Sequence, residues 1–305
     1  MHCTDGSLPD GMALLHLIFP NNGTNLIGDF YEDNTCWVLT PFRFDFTDSL
    51  LPPPSQLYDR DGLVDSVACM IVACSLLSAA IVATHFVWSR LDRRFASVSP
   101  VHKKWYVVAN MSKCILLAIM CTSYKYWVAV YRSFALDRFI SLECKRTSVL
   151  YVATDAVALL LVPKLPTSTV VHHITTIILL AVHWGMDMTV KGWTGLIGVI
   201  KMMTVYGMFS TVSFTVNGYL ALRVVYPKST FTGLLCRVAL VTYVICCIGN
   251  WSVHLLWYLH SIYNGSISLI MVLYGGCIGF IIHDDIVLIK WLIAKNSPVN
   301  NSKND

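Results

Sequence analysis

Charge is what this sequence has least of. Of its 305 residues only 13 % are Asp, Glu, Lys or Arg, against about 25 % in an ordinary soluble domain. The formal net charge is +4 and the basic residues form no dense stripe. That excludes a nucleic-acid binder, because phosphate recognition needs clustered Lys and Arg. No C-x-x-C joins any of the eleven cysteines, and there is no H-E-x-x-H, no G-x-S-x-G and no Gly-rich phosphate loop. Zinc ribbons, thioredoxin-type redox chemistry and the common hydrolase motifs drop out with them. What is present in excess is apolar surface. Hydrophobic residues make up 55 % and the mean hydropathy is +0.60. Disorder is therefore excluded, and an all-α, multispan membrane protein is the class that remains.

Residues 1–62 read as a polar, acidic arm, closed by the extended run Pro52-Pro53-Pro54. Its apolar stretch Met12–Phe19 lacks a basic flank, so a cleaved signal peptide is not expected. Seven apolar segments follow, at about 63–89, 105–127, 148–163, 168–185, 194–217, 238–259 and 267–293, each compared with the roughly 20 residues a span needs. The first, with its basic loop, forms a unit at 63–94, and 295–305 is a polar tail. The third and fourth segments are short and separated by Pro163 and Pro166, which predicts a tight helical hairpin. With the arm lumenal, twelve Lys and Arg fall on the cytosolic side and eight on the lumenal side. The positive-inside rule then places the N-terminus in the lumen and the C-terminus in the cytosol. The sequons at Asn22 and Asn264 fall on the lumenal side in the same arrangement. Cys3, Cys36 and Cys144 lie outside the apolar runs, and one pair of them could form a disulfide there.

Ionisable groups inside hydrocarbon are costly, so each is a functional candidate. They are Lys113, Asp155, His172, His173, His183, Lys201, His254 and the run His283-Asp284-Asp285, with Asn250 beside them. Helix rise places Asp155 about 13 Å from the Pro163–Pro166 turn and His172 and His173 about 8–9 Å from it, on the same side. Lys113 falls in the same cytosolic half, about 12 Å into the second segment. This predicts a polar chamber open to the cytosol. His172 and His183 share one helical face, about 16 Å apart. For His183 and His254 an ordinary helix-to-helix hydrogen bond is as good a reading as a binding role. Lys113 is read first as a structural partner of Asp155. The His283-Asp284-Asp285 run is read as an interfacial end-of-helix cluster, and Gly275 and Gly279 as a small-residue packing seam. Ligand type alone would permit a metal on the histidines and the last carboxylates, but nothing fixes a geometry, and no metal is expected.

Several short motifs, in order, resemble the TLC (TRAM/Lag/CLN) domain family over about residues 100–294. They are His102-Lys103-Lys104-Trp105, Tyr151-Val-Ala-Thr-Asp155, Val171-His172-His173, Phe209-Ser210-Thr211 leading to Asn217, and Tyr226-Pro227-Lys228-Ser229. The resemblance implies a six-helix barrel preceded by one N-terminal helix, in the endoplasmic reticulum membrane. It implies that His172 and His173 are the acyl-accepting and proton-transferring residues, supported by Asp155. His183, Lys113, His254 and Asn217 are the candidate substrate-binding residues. The implied partners are membrane lipids and long-chain acyl groups, with acyl-CoA as co-substrate, no cofactor, and a homodimer left open. The sequence departs from the sphingolipid-making ceramide synthases in one respect. Where they carry His-Asp-x-x-Asp, this chain reads Val199-Ile200-Lys201-Met202-Met203. That makes it more similar to the small TLC-domain proteins of lipid metabolism. Lipid acyl transfer is the leading expectation. A non-enzymatic lipid sensor or trafficking adaptor and sphingoid N-acylation are the alternatives, and a seven-span receptor fits poorly.

Overall fold

The computed structural model describes residues 60–123, 141–185 and 195–296, with side chains from 145 onward in the second stretch. The acidic arm up to residue 59, Cys3, Cys36, the Cys144 side chain, the sequon at Asn22 and the tail from 297 lie outside the described residues. Nine helices account for nearly all of the rest, and there is no strand among the described residues. They are α1 (Arg60–Leu91), α2 (Arg93–Ala96), α3 (Val101–Thr122), α4 (Ser141–Leu161), α5 (Thr167–Trp184), α6 (Gly195–Val212), α7 (Phe214–Val225), α8 (Thr230–Tyr263) and α9 (Leu269–Asn296). Five of these, α1, α3, α6, α8 and α9, are long and apolar enough to cross a membrane. The fold is that of an all-α, multi-pass membrane protein.

The helices extend past the apolar windows read from the sequence. The sixth segment was expected over 238–259, but α8 runs from Thr230 to Tyr263. Hydrophobicity marks where hydrocarbon can lie, whereas backbone hydrogen bonding continues into the polar ends. The fifth segment is not one helix. It breaks at Ser213, whose hydroxyl donates to the Ser210 carbonyl at 2.8 Å, and it resumes as α7. A serine drawing on the preceding turn is a recognised cause of such a break.

The break shapes the molecule. α4 packs on α3 and α5, α5 on α9, α9 on α8, α8 on α7 and α7 on α3, which closes a ring. α6 touches α3, α4, α5, α8 and α9, and half of its apolar window is buried. It fills one half of the ring's interior. Val199, Ile200, Met202 and Val205 pack there against Trp257, Met271, Tyr274, Ile278 and Ile281. Beyond Ser213 the chain leaves the interior for the wall, and the other half of the ring stays open. α1 lies against α3 and α4 from outside. Only 6 % of its apolar window is buried, so its apolar side chains face outward.

Glycine matters at two close approaches. A Cβ on Gly249 would come within 2.6 Å of the Phe209 ring of α6, and one on Gly275 within 2.9 Å of the Tyr258 hydroxyl of α8. The packing seam expected at Gly275 and Gly279 is thus half present. Nothing lies within 4 Å of a Cβ placed on Gly279.

At the end of the ring where α1 and α7 finish, Asp92 ties the outer helix to the wall. Its carboxylate caps α2 through the Arg94 and Phe95 amides, accepts from the Trp88 indole at 3.2 Å, and accepts a short hydrogen bond from the Tyr226 hydroxyl. That hydroxyl is the chief cause holding the Asp92 carboxyl below its ordinary 3.8. A depressed carboxyl stabilises the fold above its unfolded value and loses that contribution as pH falls through the folded one. Tyr226→Phe is therefore expected to lower the Tm near neutral pH. The gap between variant and wild type should close as pH drops below 3.8. Thermal unfolding across a pH series checks this, and a gap that ignores pH contradicts it.

Candidate functional site

The open half of the ring holds a cavity of about 360 Å³. It reaches from Ser168, Arg223 and Trp291 at the basic end inward to Tyr151 and Tyr206. Five of the seven candidate catalytic and substrate-binding residues line it: Lys113, Asp155, His172, His173 and Asn217. They come from α3, α4, α5 and α7, because the short Pro163–Pro166 turn places the start of α5 beside the end of α4. The Pro-flanked hairpin thereby sets Asp155 and His173 at the same depth.

The two imidazoles have different surroundings. His173 Nδ1 lies 3.2 Å from Asp155 Oδ1, and no hydrogen bond to its Nε2 forms among the described residues. His172 Nδ1 lies 3.4 Å from Asp284 Oδ2, while its Nε2 meets the Tyr206 hydroxyl at 3.2 Å. The rings stand edge to face, with centroids 5.7 Å apart. Each histidine of the pair thus approaches a carboxylate from a different helix, yet among the described residues neither Nδ1 completes a hydrogen bond.

Asp155 is fully buried and serves two partners. Lys113 donates a short hydrogen bond to the Oδ1 that also faces His173. Its ammonium lies 5.2 Å from the centre of the Tyr151 ring. The second oxygen, Oδ2, is buried without a hydrogen-bond partner among the described residues. Asp285, one residue beyond Asp284, accepts from the Tyr243 hydroxyl at 2.6 Å and the Trp251 indole at 3.3 Å. These bonds pin α9 to α8 next to the cavity. At the mouth, the Arg223 guanidinium stacks 4.4 Å from the centre of the Trp291 ring.

Other sequence candidates lie elsewhere. His254 does not line the cavity. Its Nδ1 lies 2.9 Å from the Asn250 carbonyl and its Nε2 2.9 Å from the Tyr274 hydroxyl, which is the helix-to-helix hydrogen bond weighed above. His183 sits on the same face as His172 but lines a separate pocket of about 90 Å³ deeper in the ring. Lys201 is buried on α6, outside both linings. In the other direction, Asp284 and Asp285, read as an interfacial cluster, line the cavity. Tyr206 and Tyr243 were not singled out at all. A tyrosine in an apolar run carries no signal of its own, since it serves equally as an interfacial anchor. Among the described residues no group of three or more His, Cys, Asp or Glu is arranged to hold a metal ion.

Chemically, although among the described residues neither His172 Nδ1 nor His173 Nδ1 completes a hydrogen bond to its carboxylate, a carboxylate close to Nδ1 favours the tautomer that leaves the Nε2 lone pair free. Such a nitrogen can attack a carbonyl or take a proton near neutral pH. No protein-family model matches the chain, and no curated protein or solved structure matches it.

Proposed function

We propose that this protein transfers a fatty acyl group between membrane lipids and acyl-CoA at the His172–His173 site of a TLC-type ring. The observation that carries the reading is that His173, its Nδ1 3.2 Å from buried Asp155, lines a cavity with Asp155 and His172 inside an apolar helical bundle. His173 Nε2 adds to the thioester carbonyl, the carbon–sulfur bond breaks, and the thiolate leaves with the electron pair. The hydroxyl or amine of an acceptor lipid then attacks the acyl-imidazole. Its proton passes to His172, which Asp284 and Tyr206 hold in place, and from there to the thiolate. The products are an acylated lipid and a free thiol, and both imidazoles return neutral. Lys113 keeps Asp155 ionised and fixed beneath His173.

Seven crossings, by α1, α3, α4, α5, α6–α7, α8 and α9, complete the reading. They put the basic residues Arg90, Arg93, Arg94, Lys103, Lys104, Lys164, Arg223, Lys228, Lys290 and Lys295 at one end of the bundle. By the positive-inside rule that end is cytosolic, where acyl-CoA is dissolved. Arg223 at the mouth suits its phosphates. The endoplasmic reticulum is the membrane in which this chemistry belongs.

The test is incubation of the purified protein with labelled palmitoyl-CoA, with and without a mixture of acceptor lipids. Label is expected in a new lipid product only when acceptors are present, with thiol released in equal amount. Retention of label without turnover would instead favour a lipid sensor or trafficking adaptor that uses the same cavity.

A further inference from the structure

The polar cavity ends at Tyr151 and Tyr206, and the same two side chains line the second pocket behind them. This pocket is walled by Leu179, Leu180, Met203, Ile278 and Ile281. It is smaller than the roughly 150 Å³ engineered cavity that admits benzene, so it suits a chain end and no ring system. Gly207 keeps it open, because nothing lies within 4 Å of a Cβ built there.

One group does not fit a purely apolar pocket. His183 is 3 % exposed, lines this pocket, and its Nε2 is buried with no hydrogen-bond partner among the described residues. Four of the hydroxyls that line the pocket donate to carbonyls of their own helices, Ser148 to that of Lys145 among them. Thr176 donates to the His172 carbonyl, Thr204 to that of Ile200 and Thr211 to that of Gly207. The Tyr274 hydroxyl is shared with His254. An unmade hydrogen bond on a buried ring nitrogen is costly, and hydrocarbon cannot repair it. A hydroxyl can, because it donates or accepts as the tautomer requires.

We propose that the pocket behind Tyr151 and Tyr206 receives the hydroxyl-bearing end of an aliphatic chain, with His183 Nε2 making the hydrogen bond. This rests on the reading of the larger cavity as the site of an acyl head group. His172 and His183 lie about 16 Å apart along α5 by helix rise, so the chain that spans both is a long one. The substrate class is therefore a long acyl chain hydroxylated at or near its far end, and plain saturated chains bind less well.

The experiment is competition between palmitic acid and its terminally hydroxylated counterpart for the full-length protein in detergent, read by native mass spectrometry. The wild type is expected to prefer the hydroxylated acid by about tenfold, the factor carried by one buried hydrogen bond. His183→Leu is expected to abolish the preference while still binding palmitic acid. His183→Gln, which keeps a hydrogen-bonding nitrogen or oxygen at that depth, is expected to retain part of it. Equal binding of both acids by the wild type overturns this inference and leaves the acyl site standing. A preference that survives in His183→Leu also overturns it. Failure of the wild type to bind either acid overturns both readings. Should the leucine variant not fold, the wild-type comparison alone decides.

Discussion

His173→Ala is expected to lower acyl transfer by about 100-fold or more, the range over which a positioned acid–base or nucleophilic group acts. The variant should keep the fold, because among the described residues the ring makes no hydrogen bond, and its Nδ1 only approaches Asp155 at 3.2 Å. His172→Ala should fall in the same range, but for a different reason. Its ring is held between Asp284 and the Tyr206 hydroxyl, an arrangement suited to moving a proton and not to attack. The two variants are separable in a single turnover. Without His172 the acyl group still loads onto His173 and then stalls, so thiol release shows a burst. Without His173 there is no burst. Asp284→Asn, acting through His172, should lower kcat with little change in KM and shift the pH dependence of kcat. A merely structural Asp284 would leave that profile where it was.

The second large effect is on stability. Lys113→Met is expected to cost about 3–5 kcal/mol, because it leaves the Asp155 charge buried without its cation. Lys113 is 15 % exposed and Asp155 not at all, and Asp155 Oδ2 already lacks a hydrogen-bond partner among the described residues. Removing both charges with Lys113→Met and Asp155→Leu should recover much of the loss, since a buried pair gains little over apolar residues of similar size. The recovered protein should remain inactive, having lost the carboxylate that orients His173. Thermal unfolding of the single and double variants in one detergent measures this. A single variant as stable as wild type would mean the pair is not the anchor described here.

Much of this was legible in the residues. Low charge and long apolar runs gave the class, and the Pro163–Pro166 punctuation gave the hairpin that brings Asp155 to His173. Helix rise alone put Lys113, Asp155, His172 and His173 in the same half of the membrane, because along a helix depth follows directly from residue number. What rise cannot supply is azimuth across helices. Asp284 and Asp285 sit near the end of α9, where a solvated cluster is the usual reading, and only the packing of α9 against α5 turns Asp284 toward His172. The break at Ser213 was hidden for a related reason. The segment stays apolar on both sides of it, so hydropathy registers one span. Yet that break decides which half of the ring is filled and which is hollow. His183 shows the opposite limit. Its shared face with His172 was visible, but a pocket boundary made of Tyr151 and Tyr206 depends on side chains from α4 and α6 that no single periodicity links.

The most direct test of the account maps where an acyl group goes. After incubation with labelled palmitoyl-CoA and no acceptor lipid, the protein is digested and the labelled peptide sequenced by mass spectrometry. The account places the label on His173, absent from His173→Ala and accumulating in His172→Ala. Label confined to cysteines, or to residues on the outer faces such as those around Ile178 or Leu259, would contradict it.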